Sequence, residues 1–336
     1  MNRRRALLLP LSLAALALSS CASAPEEAAS APGAEAGEAL TVLASFYPLE
    51  YVAERVGGER VQVSSLTPAG ADPHDVELSP AAVEQLRTAD AVVHLSGFQP
   101  AVDDAVAETS PEHVLDAAVA GVEGVEDHSA EEHGHAGADG PDDEHDEHAQ
   151  EAHGPDEHGP DEHAHEGADP HFWLDPQRLA AVATEVAHVL GEADPEHAGT
   201  YEANAGRLTT ELEALDREFS EGLRTCERRT VVVSHDAYGY LAERYDLEQV
   251  AVAGFEPETE PSPARLAEIG RVVEAEGVTT VFSESLVEPA VAETLAAEHG
   301  IGTAVLDPVE GLADPAKDYQ QLMRENLEAL RAALAC

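Results

Sequence analysis

Positive charge is scarce in this chain. Its 336 residues hold 18 Lys and Arg against 67 Asp and Glu, a formal charge of −49. That deficit argues against nucleic acid and anionic membrane surfaces as partners, and it favours cationic ligands. Sulfur is scarce too. There are two methionines, one of them Met1, and three cysteines, too few for the sulfur-rich donor set that copper prefers. Long apolar runs are missing apart from Ala6–Leu18, which Pro10 interrupts. That run is too short for a permanent membrane span, and with Arg3, Arg4 and Arg5 before it, it reads as a signal peptide over 1–20.

Leu18-Ser19-Ser20-Cys21 then matches a lipobox, with Cys21 as the acylated residue. Residues 21–39, rich in Ala, Pro and Glu, are expected to form a lipidated tether that holds the protein on the extracytoplasmic face of the cell membrane. The remaining cysteines, Cys226 and Cys336, suit a disulfide in an exported protein, though spacing alone leaves open whether they meet.

Apolar, β-rich runs alternate with helical patterns, twice over. The first set is Thr41–Tyr47, Val61–Thr67, Ala91–Gly97 and His113–Val119; the second is Thr230–His235, Leu247–Phe255, Thr279–Ser285 and Gly302–Leu306. This alternation predicts an α/β protein of two lobes, each a four-stranded parallel sheet flanked by helices. The N-terminal lobe is expected over 40–193 and the C-terminal lobe over 225–336. One long rigid helix, starting at Asp194-Pro195 and spanning 194–224, is expected to join them. Asp314-Pro315 is expected to open the last helix, whose stripe Tyr319, Leu322, Met323, Leu327, Leu330 and Leu334 has core spacing.

Residues 121–168 fit neither pattern. The segment holds nine histidines, His128, His133, His135, His145, His148, His153, His158, His163 and His165, and no Lys or Arg. Gly-Pro-Asp-Glu-His repeats in tandem from Gly154 to His163. Such a composition cannot build a core, so it predicts a disordered insertion whose histidines offer secondary, low-affinity metal sites; an inert solvated spacer is the alternative.

Outside that insertion, His74 follows the second strand, His171 lies in Asp169-Pro170-His171-Phe172-Trp173-Leu174-Asp175-Pro176, His235 ends a strand, and Asp307 directly follows one. Ligand groups in parallel sheets gather beyond the strands' carboxyl ends, which suits His74, His235 and Asp307. Three imidazoles and a carboxylate suit tetrahedral zinc. Each residue also has a plainer reading: a strand-end histidine is often only hydrogen-bonded, and Asp307 could simply cap a turn at Pro308. His94, His113, His188, His197 and His299 are assigned to that structural class.

These stretches together resemble the metal-specific solute-binding proteins of ABC transporters, the zinc/manganese cluster whose lobes are joined by one rigid helix. The similarity is carried in order by Ser45-Phe46-Tyr47-Pro48, Gly70–Pro80, Asp169–Pro176, Ser234–Tyr240, Glu260-Pro261-Ser262, Val281–Ser285 and Leu306–Pro308. The resemblance implies metal ligands at His74, His171, His235 and Asp307, and capture of Zn²⁺ for a membrane permease, with no enzymatic activity. It implies zinc over the alternative, Mn²⁺, because manganese-preferring members typically carry a carboxylate in place of His235. Gln99 stands where a glutamate is frequent, so it is expected to alter the cleft wall, and Glu284 is expected to support or gate the site. A monomer anchored by lipid, with no nucleic acid partner, completes the reading. Two rivals stay open: a zinc enzyme with three histidines and an open fourth position, and another divalent-metal uptake or adhesin-like role.

Overall fold

A computed structural model describes residues 39–122, 169–257 and 259–336. The leader, Cys21, the tether and the nine histidines of the insertion lie outside the described residues. Among the described residues, eight strands form two four-stranded parallel sheets. The first contains β1 (Leu40–Ala44), β2 (Val61–Ser65), β3 (Ala91–His94) and β4 (Val114–Asp116), in the order β2-β1-β3-β4. The second contains β5 (Thr230–Val233), β6 (Glu248–Ala251), β7 (Thr280–Ser283) and β8 (Gly302–Val305), in the order β6-β5-β7-β8. Both sheets therefore reverse winding between their first and third strands. The crevice beyond the carboxyl ends at such a reversal is where open α/β sheets bind ligands.

Helices α1 (Tyr47–Gly57), α2 (Pro80–Thr88), α3 (Pro100–Thr109), α4 (Ala117–Gly121) and α5 (Pro176–Ala193) accompany the first sheet. The second carries α7 (Gly239–Arg244), α8 (Pro263–Glu276), α9 (Ala290–His299) and α10 (Tyr319–Leu334). Between them runs α6 (Ala198–Leu223), whose 26 residues make a rod about 39 Å long. One continuous core passes from β1 and α1 through α5 and α6 into α10, burying Tyr201, Phe219, Tyr319 and Leu330 together.

Every strand ends one to four residues before the end of its expected run, and three of the moved boundaries have an evident local reason. The fourth strand stops at Asp116, because the Asp116 side chain caps the alanine-rich α4 by accepting the Ala118 N–H at 3.0 Å. The linking helix begins at Ala198 rather than Asp194, because Asp194 and His197 close a turn first, with Asp194 Oδ2 2.7 Å from His197 Nδ1. Asp314 closes another turn onto the Ala316 N–H at 3.0 Å. The last helix starts four residues later, where Asp318 and Gln321 form a capping box. Its expected stripe is buried throughout. Cys226, just past α6, and Cys336, at the end of α10, are joined by a disulfide.

Candidate metal centre

Two of the predicted donors stand on the same local device. In Asp72-Pro73-His74, Asp72 Oδ1 accepts the His74 N–H at 2.8 Å; in Asp169-Pro170-His171, Asp169 Oδ1 accepts the His171 N–H at 2.9 Å. Proline fixes φ and offers no N–H, so the aspartate side chain folds over it onto the next donor. Gln99 then props the first turn: its buried amide donates to Pro73 O and to Thr67 Oγ1, both at 3.0 Å. Instead of altering the cleft wall, Gln99 sits beneath His74 as a support. The second turn runs into the fully buried Phe172-Trp173-Leu174.

The C-terminal lobe holds its donors differently. His235 follows β5, and its Nδ1 lies 2.6 Å from Glu284 Oε1, just past β7, with the Ser234 hydroxyl donating to the same oxygen. Glu284 thus braces the His235 ring and the residue before it. In the N-terminal lobe Asp169 Oδ1 does the equivalent for His171 Nδ1 at 2.8 Å. With both Nδ1 atoms engaged, each ring turns Nε2 inward. Gly239 makes room for this arrangement, since a Cβ there would lie 2.5 Å from Asp169 Oδ2.

The inward atoms converge on a fourth residue, Glu310. Its Oε1 is 3.1 Å from His171 Nε2, 3.4 Å from His74 Nε2 and 3.5 Å from His235 Nε2. The Nε2 atoms of His171 and His235 are 3.4 Å apart. A tetrahedron with bonds of ~2.0–2.1 Å has edges of about 3.3–3.4 Å, so these spacings fit one small tetrahedral ion. His74 Nε2 and Glu310 Oε1 are buried without a directed hydrogen-bond partner, an arrangement proteins keep where a ligand takes up the bonding capacity.

Asp307 does not join them. Its Oδ1 accepts the Val309 N–H at 2.7 Å and its Oδ2 accepts the Ser285 hydroxyl, while Asn326 on α10 brackets its backbone through Asp307 N and Asp307 O. The plainer reading of Asp307, a cap on the turn at Pro308, is the one the structure adopts. The turn delivers the donor three residues on, through Val309 in the left-handed region at φ 57°, a costly conformation for a β-branched residue and a mark of a constrained site. A signal for Glu310 was present: at Asp72 and Asp169 too, the aspartate supports and a later residue points inward. His94, His188, His197 and His299 lie apart from this group, beside Asp103, Glu185, Asp194 and Glu274 respectively.

Charge reinforces the geometry. Burial alone would lower the His235 pKa, but the Glu284 carboxylate bonded to its Nδ1 and the Glu310 carboxylate near its Nε2 override it and hold the ring at about 10. For His171, burial is likewise outweighed by Asp169 and Glu310, and its pKa is raised. Burial would raise Glu310, yet His171, His235 and His74 around it hold its carboxyl well below the usual range. Aromatic rings close the N-terminal side, with Phe98 4.7 Å from the His74 ring and Trp173 5.1 Å from the His171 ring.

Three imidazole nitrogens and one carboxylate oxygen thus meet at tetrahedral spacing beside two reversing parallel sheets. The family model described as ZnuA, zinc-uptake complex component A, periplasmic, matches residues 42–333. The chain belongs to this family. The zinc-binding protein AdcA of Streptococcus pyogenes serotype M3 is 33% identical over 301 residues, covering 87% of this chain and 55% of that protein. The chain thus spans about half the length of the first relatives it matches. The high-affinity zinc uptake system protein ZnuA of Bacillus subtilis is 31% identical over 304 residues, covering 89% of this chain and 88% of that one. Among solved structures, the Zn(II)-bound ZnuA-like domain of Streptococcus pneumoniae AdcA superposes with a TM-score of 0.67 at 27% identity, covering 89% of this chain and all of that domain.

Proposed function

We propose that this protein captures Zn²⁺ outside the cytoplasm and delivers it to an ABC-type permease, acting as a monomer anchored through Cys21. The observation that carries the reading is the convergence of His74, His171 and His235 Nε2 on Glu310 Oε1 at 3.1–3.5 Å. Four protein donors complete a tetrahedral shell, whereas a catalytic zinc keeps one position open. That favours a carrier over a hydrolase. Imidazole at His235 favours zinc over manganese, which prefers oxygen. The histidines of the insertion, 128 to 165, serve as weaker accessory sites in this reading, as their low-complexity sequence rich in His, Asp and Glu suggests.

Competition titration against a chromophoric chelator tests the reading. One tight Zn²⁺ site per chain is expected, preferred over Mn²⁺ and kept after removal of residues 123–168. A chain without a tight site, or with equal preference for the two metals, would sink it.

A further inference from the structure

The donors are closed off from solvent: His171 and His235 are fully buried and Glu310 is 5% exposed. A metal ion must pass protein to reach them. Separating the lobes is a demanding route, because one core runs through both. Opening would also break the buried bonds from Trp173 Nε1 to Pro308 O (2.8 Å) and from the Tyr319 hydroxyl to Trp173 O (2.6 Å).

Among the described residues, three spaces adjoin the site. A cavity of about 390 Å³ in the C-terminal lobe includes Asp72, Glu260, Glu284 and Glu288 in its wall and no Lys or Arg. A void of about 10 Å³ continues from Asp72 and Glu284 to Glu310. A third space, of about 590 Å³, lies in the cleft on the far side of Glu310, with Glu50 and Glu310 as its acidic groups. Leu286 borders all three. It is 37% exposed and rests beside Gly311, where a Cβ would lie 3.2 Å from its Cδ1. Glu284 lies at the inner end of the first cavity. Its side chain is 3% exposed, its Oε1 serves His235 and Ser234, and no hydrogen bond among the described residues reaches its Oε2.

On the zinc-binding reading above, we propose that the ion enters and leaves through the C-terminal-lobe cavity, past Asp72 and Glu284, when Leu286 swings out of the junction. A partly exposed leucine changes rotamer far more easily than two lobes with a shared core separate. The carboxylates concentrate a divalent cation in the cavity and replace part of its water as it passes. Leu286 touches no donor atom in this scheme; it sets the rate of exchange and leaves the equilibrium nearly alone.

The test is stopped-flow zinc release to excess EDTA, and zinc loading from a chromophoric chelator, on the full mature chain. Leu286→Ala should speed both by about tenfold while Kd stays within about threefold, as a gate common to both directions requires. Val291→Trp, which fills the cavity from its 41% exposed rim, should slow both, and Ala313→Trp in the far cleft should change neither. Unchanged rates in Leu286→Ala, or slowing by Ala313→Trp and not by Val291→Trp, would overturn the route. Leu286→Ala, a truncation at a partly exposed position, decides whether Leu286 is the gate even if a tryptophan variant folds poorly; because Leu286 borders all three spaces, the tryptophan variants decide which cavity is the path. A wild-type chain with no tight zinc would instead defeat the functional reading, before any rate is measured.

Discussion

The two lobes share the aspartate turn but differ in how far their remaining supports of the site reach along the chain. The N-terminal lobe fixes His74 and His171 from two residues away, through the side chains of Asp72 and Asp169. The C-terminal lobe reaches across the fold: His235 is oriented by Glu284, 49 residues on, and the backbone leading to Glu310 by Asn326, 19 residues past Asp307. Local turns form wherever their short sequence occurs. Long-range supports exist only once the second sheet is assembled, so the C-terminal donors depend more on the integrity of the fold.

The sharpest way to break the comparison is at the fourth donor. Glu310→Ala should weaken zinc binding at least a hundredfold, beyond the ~10–100-fold typical of removing an outer partner. Asp307→Asn keeps an acceptor for the Val309 N–H and should stay within about tenfold of wild type on the same scale. Chelator competition measures both. Equal losses would return Asp307 to the donor set.

The orienting carboxylates come next. Asp169→Asn and Glu284→Gln each remove a charged acceptor from a ligand Nδ1 and should cost about 10–100-fold in zinc affinity. Glu284→Gln should also lower the unfolding midpoint more than Asp169→Asn, since Glu284 ties together the segments after β5 and β7, whereas Asp169 acts mainly on its own turn. A larger midpoint loss in Asp169→Asn would reverse the contrast drawn between the lobes.

pH sharpens it further. In the metal-free protein His235 is held at about 10, so at neutral pH zinc must displace its proton, and affinity should rise with pH. A raised histidine pKa contributes stability that is fully present below the unfolded value of about 6.5. That contribution is lost as pH climbs through about 10. The metal-free chain should therefore lose stability between pH 7 and pH 10, and zinc-loaded protein much less. Calorimetry in buffers of different ionisation enthalpy should detect proton release on binding at pH 7; its absence would count against protonated histidines in the metal-free site.

The same local-versus-distant contrast governs what could be read from the sequence. The sheets were legible because apolar runs recur at regular spacing, and His74, His171 and His235 because each sits in a short distinctive stretch. Asp307 was named as the fourth ligand because it directly follows a strand and because the resemblance pointed to it, and Glu310 was not singled out. Only the assembled fold shows that its two oxygens are occupied by Val309 and Ser285. The end of β4 and the start of α10 were misplaced because the aspartates that cap there had to be told apart from those that merely close turns.

The smallest expected effect tests whether the lobes share one rigid frame. The Tyr319 hydroxyl on α10 donates to Trp173 O at 2.6 Å, and both residues are fully buried. Tyr319→Phe removes that one hydroxyl, keeps the ring packed against Tyr51 at 5.3 Å, and leaves a buried carbonyl without its partner. An unsatisfied buried acceptor costs about 1–3 kcal/mol, so the denaturant midpoint should fall accordingly with an unchanged m-value. Zinc affinity should move by less than about threefold, because the aspartate turns, and not this bond, set the N-terminal donors. Trp173 is the sole tryptophan and lies 5.1 Å from the His171 ring, so its fluorescence follows unfolding and zinc binding in one sample. An unchanged midpoint would mean that the bond contributes nothing across the lobes. A large affinity loss at preserved stability would mean that the N-terminal donors, like the C-terminal ones, are held from a distance.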